Sequence, residues 1–197
     1  MDVLGSGTTP YPWILLDYAP DGSLRERLDR GGLSPAEAGD FLLGVCQAIR
    51  HAHRHGIVHA DLKPENVLFD GDTPKVGDWG LAQVLLEHSK SIEGMTPSYA
   101  APEQLDPDSY GSVDDYTDVY QLGIMAYEAF TGRLPYESDN PAGTITSILS
   151  EEPTPPTAVE SGLPPAVDEV VLTAMAKDKA DRYESVLYLR DELRDLF

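Results

Sequence analysis

The sequence predicts a mainly α fold with a small β component, and three observations carry that prediction. Apolar residues at 38, 42, 45, 49 and 52 recur in steps of four and three, the period of one helix face. The stretch from Val119 to Phe130 is apolar on nearly every face, as in a helix buried all round. Val186, Leu189, Leu193 and Leu196 give a last amphipathic helix. Strand patterns are confined to a few short runs.

Taken in order, Asp2 to Gly5 and Trp13 to Leu16 read as two strands around the turn-rich Ser6-Gly7-Thr8-Thr9-Pro10. Ala19-Pro20-Asp21-Gly22 is a turn that ends the second strand. Ser23 with Glu26, and Ser34 with Glu37 after Pro35, predict two capping boxes, the second opening the long helix. Gly56 fits the stop of that helix. Val67-Leu68-Phe69 and Lys75-Val76-Gly77 predict a hairpin around Asp70-Gly71-Asp72. Gly132 closes the buried helix, and the Pro-rich Glu152 to Pro156 is a loop. No internal repeat and no linker divides the chain.

The chain has 197 residues, enough for one domain with a real core. No apolar run approaches the ~18 residues of a membrane span, and the start lacks the charged and apolar regions of a signal peptide; the expected localisation is cytoplasmic. The single cysteine, Cys46, excludes an internal disulfide and a cysteine metal cage, and reads as a small core residue. Asp and Glu number 34 against 14 Lys and Arg, a net charge of −20 scattered along the chain. That disfavours nucleic-acid binding, since no basic patch offsets phosphate repulsion. Self-repulsion of this size is relieved at molar salt, where the Debye length is ~3 Å. The acidity therefore suggests a salt-rich cytoplasm such as that of a halophilic archaeon. His51, His53, His55 and His59 raise the question of zinc, but alternate residues on one helix point apart and are not expected to converge.

The chemistry is concentrated in one run, His59-Ala60-Asp61-Leu62-Lys63-Pro64-Glu65-Asn66, followed by Asp78-Trp79-Gly80 and then Ala101-Pro102-Glu103. In order and spacing these resemble the catalytic loop, metal-binding triplet and activation-segment end of the eukaryotic-type protein Ser/Thr kinases. The resemblance implies a protein-kinase-like C-terminal lobe (α+β) over residues 20–197, with residues 1–19 a remnant N-terminal hairpin and hinge. It makes Asp61 the carboxylate that accepts the substrate hydroxyl proton and Lys63 the charge that offsets the transferring phosphate. Asn66 and Asp78 match the positions that hold Mg²⁺, or Mn²⁺ in its place, a hard ion suited to oxygen ligands. Trp13 to Ala19 resembles the strand and hinge that meet the adenine of ATP, with Leu16 as gatekeeper, Asp17 offering a carbonyl and Ala19 its N–H and carbonyl. Thr96 matches the substrate-docking threonine, and His59 the packing histidine of the motif. Asp118 matches the anchor of the catalytic loop on its buried helix, and Arg182 the partner of Glu103. The complete Ala-Pro-Glu segment argues for a protein substrate over a small alcohol.

Three departures qualify what the resemblance implies. Ala60 stands where the family has an arginine that contacts a phosphorylated activation loop, so phosphorylation of Ser89 or Ser91 is not expected to be the ordinary switch. Trp79 replaces a phenylalanine and is expected to add bulk to the core. The first lysine is Lys63 and the first glutamate Glu26, both after the hinge, so the clamp lysine and its glutamate are not among residues 1–197, and Gly5-Ser6-Gly7-Thr8-Thr9-Pro10 reads as a turn rather than a phosphate loop. The expected partners are a protein substrate and an N-terminal lobe supplied in cis or in trans. The alternatives are a non-catalytic, pseudokinase-like binding module and a decaying gene product.

Overall fold

The computed structural model describes residues 3–11, 13–31, 33–79 and 97–196. Strands β1 (Val3–Gly7) and β2 (Trp13–Leu16) pair antiparallel, Val3 opposite Leu16 and Gly7 opposite Trp13. The pair is two-stranded, and every residue of β2 is exposed. The turn after β2 is stitched to the body by Asp21 N–H to the Phe69 carbonyl (3.1 Å) and Phe69 N–H to the Gly22 carbonyl (2.9 Å).

Helix α1 (Leu24–Asp29) starts at Ser23, whose hydroxyl accepts from the Glu26 N–H. Only this half of the expected box forms, because the Glu26 carboxylate meets Arg30 at 3.4 Å instead. Helix α2 (Pro35–His53) has the full box. Ser34 Oγ accepts from the Glu37 N–H at 3.3 Å, and Glu37 Oε2 accepts from the Ser34 N–H at 2.8 Å. Its Ala38, Leu42, Val45, Ile49 and Ala52 are buried with Phe41 and Cys46, as the periodicity predicts. Gly56, at φ +70°, turns the chain away just past the helix end.

The second hairpin joins β3 (Val67–Asp70) to β4 (Thr73–Val76), Val67 opposite Val76. Its second strand begins two residues earlier than predicted and leaves Gly77 outside. Gly44 lets α2 lie against this hairpin: a Cβ there would stand 2.5 Å from Pro74 Cγ. Two short helices follow, α3 (Pro102–Leu105) and α4 (Pro107–Tyr110). Helix α5 (Asp115–Thr131) is capped by Asp114 and by left-handed Gly132, and every residue from Thr117 to Phe130 is buried. Then come α6 (Pro141–Ser150), α7 (Pro156–Val159), α8 (Ala166–Ala174) and α9 (Val186–Arg194). Pro156, expected in a loop, opens α7.

The core is built round α5, packed on α2 and α8, with α9 closing over α2. Close approach of α5 and α8 needs Gly123, where a Cβ would meet Met175 Cγ at 2.8 Å and Ala174 Cβ at 2.9 Å. Among the described residues the architecture is mainly α with two two-stranded sheets, resembling a kinase-like C-terminal lobe with a remnant N-terminal hairpin. Among the described residues no helix is long and apolar enough to cross a membrane.

Candidate active site

The loop from His59 to Asn66 hangs from α5. Asp118, fully buried, accepts from His53 Nε2–H (2.7 Å) and the His59 N–H (2.9 Å) on Oδ2, and from the Ala60 N–H (2.7 Å) on Oδ1. Three residues on, along the same helix face, Gln121 Oε1 accepts from the Leu62 N–H at 2.9 Å. Its Nε2 donates to the Ala60 carbonyl (3.2 Å), as does Gln104 Nε2 of α3 (2.8 Å). Ala60 is held at φ +60°, a left-handed conformation that costs an L-residue roughly 1–2 kcal/mol. The three bonds to its own N–H and carbonyl, with those to the His59 and Leu62 N–H groups, offset that cost.

His59 is 1% exposed and uses both ring nitrogens. Its Nδ1 accepts from the Asp61 N–H at 3.3 Å, and its Nε2 donates to the Gly77 carbonyl at 2.8 Å. A carbonyl only accepts, so the ring is fixed as the Nε2–H tautomer. Asp61 Oδ2 receives Lys63 Nζ at 2.9 Å and Asn66 Nδ2 at 3.1 Å. Asn66 Nδ2 also donates to the Asp61 carbonyl at 2.8 Å, and Gly77 N–H donates to the Asn66 carbonyl at 2.8 Å. Asp61, Lys63 and Asn66 thus form one network. Through Gly77 it is joined to Asp78, which is exposed and sits at φ +56°. Among the described residues Ala60 and Asp78 are the non-glycine positions with positive φ. Strain of this kind collects where a site over-determines its backbone.

Trp79 is not the core filler expected of it. It is 38% exposed, donates Nε1–H to the Val76 carbonyl (2.9 Å) and packs edge-on against His59. An indole that can reach one carbonyl gains more at the surface than from burying its N–H unpaired.

Leu16, Asp17 and Ala19 line an open cavity of about 760 Å³ together with Leu68 and Asp78. Asp61, Lys63 and Asn66 do not line it. The Asp17 carboxylate is tied to Lys75 at 2.8 Å, and Lys75 also meets Asp70 at 3.1 Å, which fixes the turn after β2 to the second hairpin. Those two bonds raise the Lys75 pKa. Oxygen donors suited to a hard cation are present on both sides of Gly77: the Asp78 carboxylate, and Asn66 Oδ1, since the amide nitrogen is committed to Asp61.

Glu103 and Arg182 form a buried bidentate pair, both side chains fully inaccessible, with two N–H···O bonds of 2.9 Å. Arg182 spends its remaining three N–H groups on the carbonyls of Ala176, Tyr116 and Lys177. Burial opposes ionisation of Glu103, but the bonds and charge of Arg182, with help from its own backbone N–H and Thr117, outweigh it and lower the pKa. Thr96, Ser89 and Ser91 lie outside the described residues.

Sequence reasoning missed His53, Gln104 and Gln121, whose partners lie 65, 44 and 59 residues away. It also missed a cluster in which Arg25 of α1 meets Glu65 of the loop (3.1 Å), Glu128 of α5 (2.8 Å) and Tyr99 (2.5 Å). No local pattern marks any of these.

Comparison with known proteins shows the family. The protein kinase domain family matches residues 6–191. The serine/threonine-protein kinase PknB of Mycobacterium tuberculosis is 34% identical over 191 residues, which is 93% of this chain and 30% of that protein. PknB of Mycobacterium leprae is 33% identical over 190 residues, with the same shares covered. A probable serine/threonine-protein kinase PknB of Corynebacterium glutamicum is 32% identical over 193 residues, 94% of this chain and 30% of its own length. The chain therefore spans about 30% of the length of these relatives.

Proposed function

The chain belongs to the protein kinase family, of the eukaryotic Ser/Thr type, and on that premise we propose that it is the catalytic and substrate-docking lobe of a cytoplasmic protein Ser/Thr kinase. The observation that carries the proposal is the network of Asp61, Lys63 and Asn66, linked through Gly77 to Asp78 on the cavity wall.

The bonds from Lys63 and Asn66 to the Asp61 carboxylate both fall on Oδ2, which leaves Oδ1 to accept the proton of a Ser or Thr hydroxyl. As the hydroxyl oxygen bonds to the γ-phosphorus of ATP, the bond to the β–γ bridging oxygen breaks, ADP departs and the proton rests on Oδ1. Lys63, beside Asp61, offsets charge on the transferring phosphate. Asn66 and Asp78 would hold Mg²⁺ or Mn²⁺, which when bound neutralises charge on the nucleotide phosphates. The backbone of Asp17 and Ala19 would meet adenine, with Leu16 behind it, and Thr96 would dock the acceptor peptide. Glu103 and Arg182 hold the end of the activation segment, and Asp118 with His59 holds the loop.

The ATP-covering lobe is the second partner in this reading. Trp13, Ile14 and Leu15 are 48%, 67% and 55% exposed, and an apolar two-stranded ribbon is marginal alone and presents unpaired edges. Residues 1–19 would then be the edge of a larger sheet whose glycine loop and clamp lysine come from outside residues 1–197, in cis or in trans. The acidic surface fits work at high salt.

The test is phosphate transfer from radiolabelled Mg-ATP to a protein acceptor, by the chain alone and after an N-terminal lobe is supplied. We expect little transfer alone, restored transfer with the lobe, and none in either case for Asp61→Asn. Transfer that survives Asp61→Asn would refute the mechanism. Nucleotide binding without transfer in the completed protein would instead favour a pseudokinase-like binding module.

A further inference from the structure

Among the described residues no group of three or more histidine, cysteine or carboxylate side chains is placed to hold a metal ion. The histidines at and just past the end of α2 divide as alternate spacing suggests, yet the two outer ones stay together. His53 turns inward to Asp118 (2.7 Å) and towards Asp115 (3.7 Å). His51 and His55, four residues apart, both turn outward, and their ring centres lie 4.6 Å apart at an interplanar angle of 42°.

The geometry points to a transition-metal site on this pair, one that binds a first-row divalent ion of the Cu²⁺, Ni²⁺ or Zn²⁺ class. Imidazole nitrogen binds such ions at about 2.0–2.1 Å, so the metal lies about 3.2 Å from each ring centre; two rings meeting it at roughly 90–110° then have centres about 4.5–5.3 Å apart. The observed 4.6 Å falls within that span. His55 is also oriented for the task. Its Nδ1 is 2.8 Å from the His51 carbonyl oxygen. That oxygen only accepts, so Nδ1 carries the hydrogen and Nε2 keeps its lone pair. A ring that donates one N–H to a backbone carbonyl while the other nitrogen stays free is the arrangement that orients metal-bound histidines.

Access and surroundings fit as well. Both residues are exposed, and they line a cavity of about 460 Å³ walled by Ala48, Ile57, Pro74 and Trp79. The charged groups in that wall, Asp17 and Lys75, are bonded to each other and do not place a bare cation against the metal. The net charge of −20 draws cations to the surface generally, while imidazole selects the transition-metal class over Mg²⁺ or Ca²⁺. Two protein ligands leave the other coordination positions to water.

The experiment is a Cu²⁺ titration of the untagged, metal-free full chain in millimolar Mg²⁺, followed by calorimetry and electron paramagnetic resonance. We expect one equivalent with two nitrogens in the copper hyperfine pattern. His51→Gln and His55→Gln, both at exposed positions, should each leave one nitrogen and weaken binding by at least the ~10-fold that loss of a mere orienting partner costs. Melting curves check that the variants fold. All-oxygen coordination, displacement of copper by Mg²⁺, or wild-type affinity in both variants would each overturn the assignment.

Discussion

Replacing Arg182 by methionine keeps most of the side-chain volume and removes every bond of the guanidinium. Five N–H···O bonds disappear, two to Glu103 and three to the carbonyls of Ala176, Tyr116 and Lys177. The Glu103 carboxylate is left with the Thr117 hydroxyl at 2.7 Å as its side-chain partner. Neither side chain of the pair has any solvent access, so water cannot replace what is lost. Breaking one side of such a pair costs about 3–5 kcal/mol, a large share of the roughly 5–15 kcal/mol that holds a domain folded. At about 2–4 °C per kcal/mol for a chain of this size, Tm at pH 7 should fall by roughly 6–20 °C. The pH dependence adds a sharper check. In the wild type the Glu103 pKa is lowered, so its contribution is complete above the unfolded carboxyl value of about 4.3 and is lost as the pH falls through the lower folded value. In Arg182→Met the lone buried carboxylate favours its proton, so the variant recovers relative to wild type on going from pH 7 to pH 5. Thermal melts by circular dichroism at both pH values measure this. The double variant Arg182→Met/Glu103→Leu should be more stable than Arg182→Met, because no charge remains to bury. A Tm within about 2 °C of wild type, or a deficit that does not change with pH, would refute the account.

Asp118→Asn replaces an acceptor of three hydrogen bonds by a group that must turn an N–H₂ towards at least one donor. With bonds to a carboxylate worth about 1.5–3 kcal/mol each, amide exchange at residues 59–62 should accelerate and Tm should drop, and unchanged exchange there would contradict the role given to Asp118. Burial lowers the Lys177 pKa to about 8, with Glu151 and Glu152 opposing and Arg182 assisting, where Nζ sits on the Tyr136 hydroxyl and the Ile148 carbonyl. The unfolded chain holds that proton up to about pH 10.4, so the wild type should gain stability relative to Lys177→Met between pH 8 and pH 10; parallel curves would count against it. Gly123→Ala forces a methyl against Met175 and Ala174 and should cost about 1–3 kcal/mol in chemical denaturation. Melting in low and in molar KCl tests the acidic surface, with a salt-independent midpoint removing the salt-adaptation reading.

What was legible in the sequence is what short-range physics decides. The Ser34 and Glu37 box lies within one helical turn, and so does the apolar face of α2. The all-round burial of α5 follows from a run with no polar face. Competition spoils such readings when a second partner is equally near, as Arg30 is for Glu26. The Trp13 to Leu16 run reads as a strand whose apolar face awaits a covering lobe, and each of its residues is exposed. Pattern predicts which face needs a partner and is silent on whether the partner is at hand.

The site divides along the same line, and that division bears on its chemistry. Asp61, Lys63, Asn66 and Asp78 stand out as a spaced motif, but nothing near them in the chain would place Ala60 at φ +60° or Asp78 at φ +56°. The first is imposed from a distance, by Asp118 and Gln121 on α5 and by Gln104 on α3, through bonds spanning 44 to 61 residues, while next to the second Gly77 is held by His59 Nε2 and the Asn66 carbonyl. The supports lie in the buried body round α5, and the exposed β1–β2 ribbon supplies none of them. The loop from His59 to Asn66 should therefore keep its shape whatever happens to that ribbon, while the cavity wall formed by Leu16, Asp17 and Ala19 depends on the Asp17–Lys75 tether. In the function proposed for this chain, a covering lobe would then act on nucleotide affinity and on closure over the phosphates, and leave the geometry of Asp61 with Lys63 and Asn66 as it already stands.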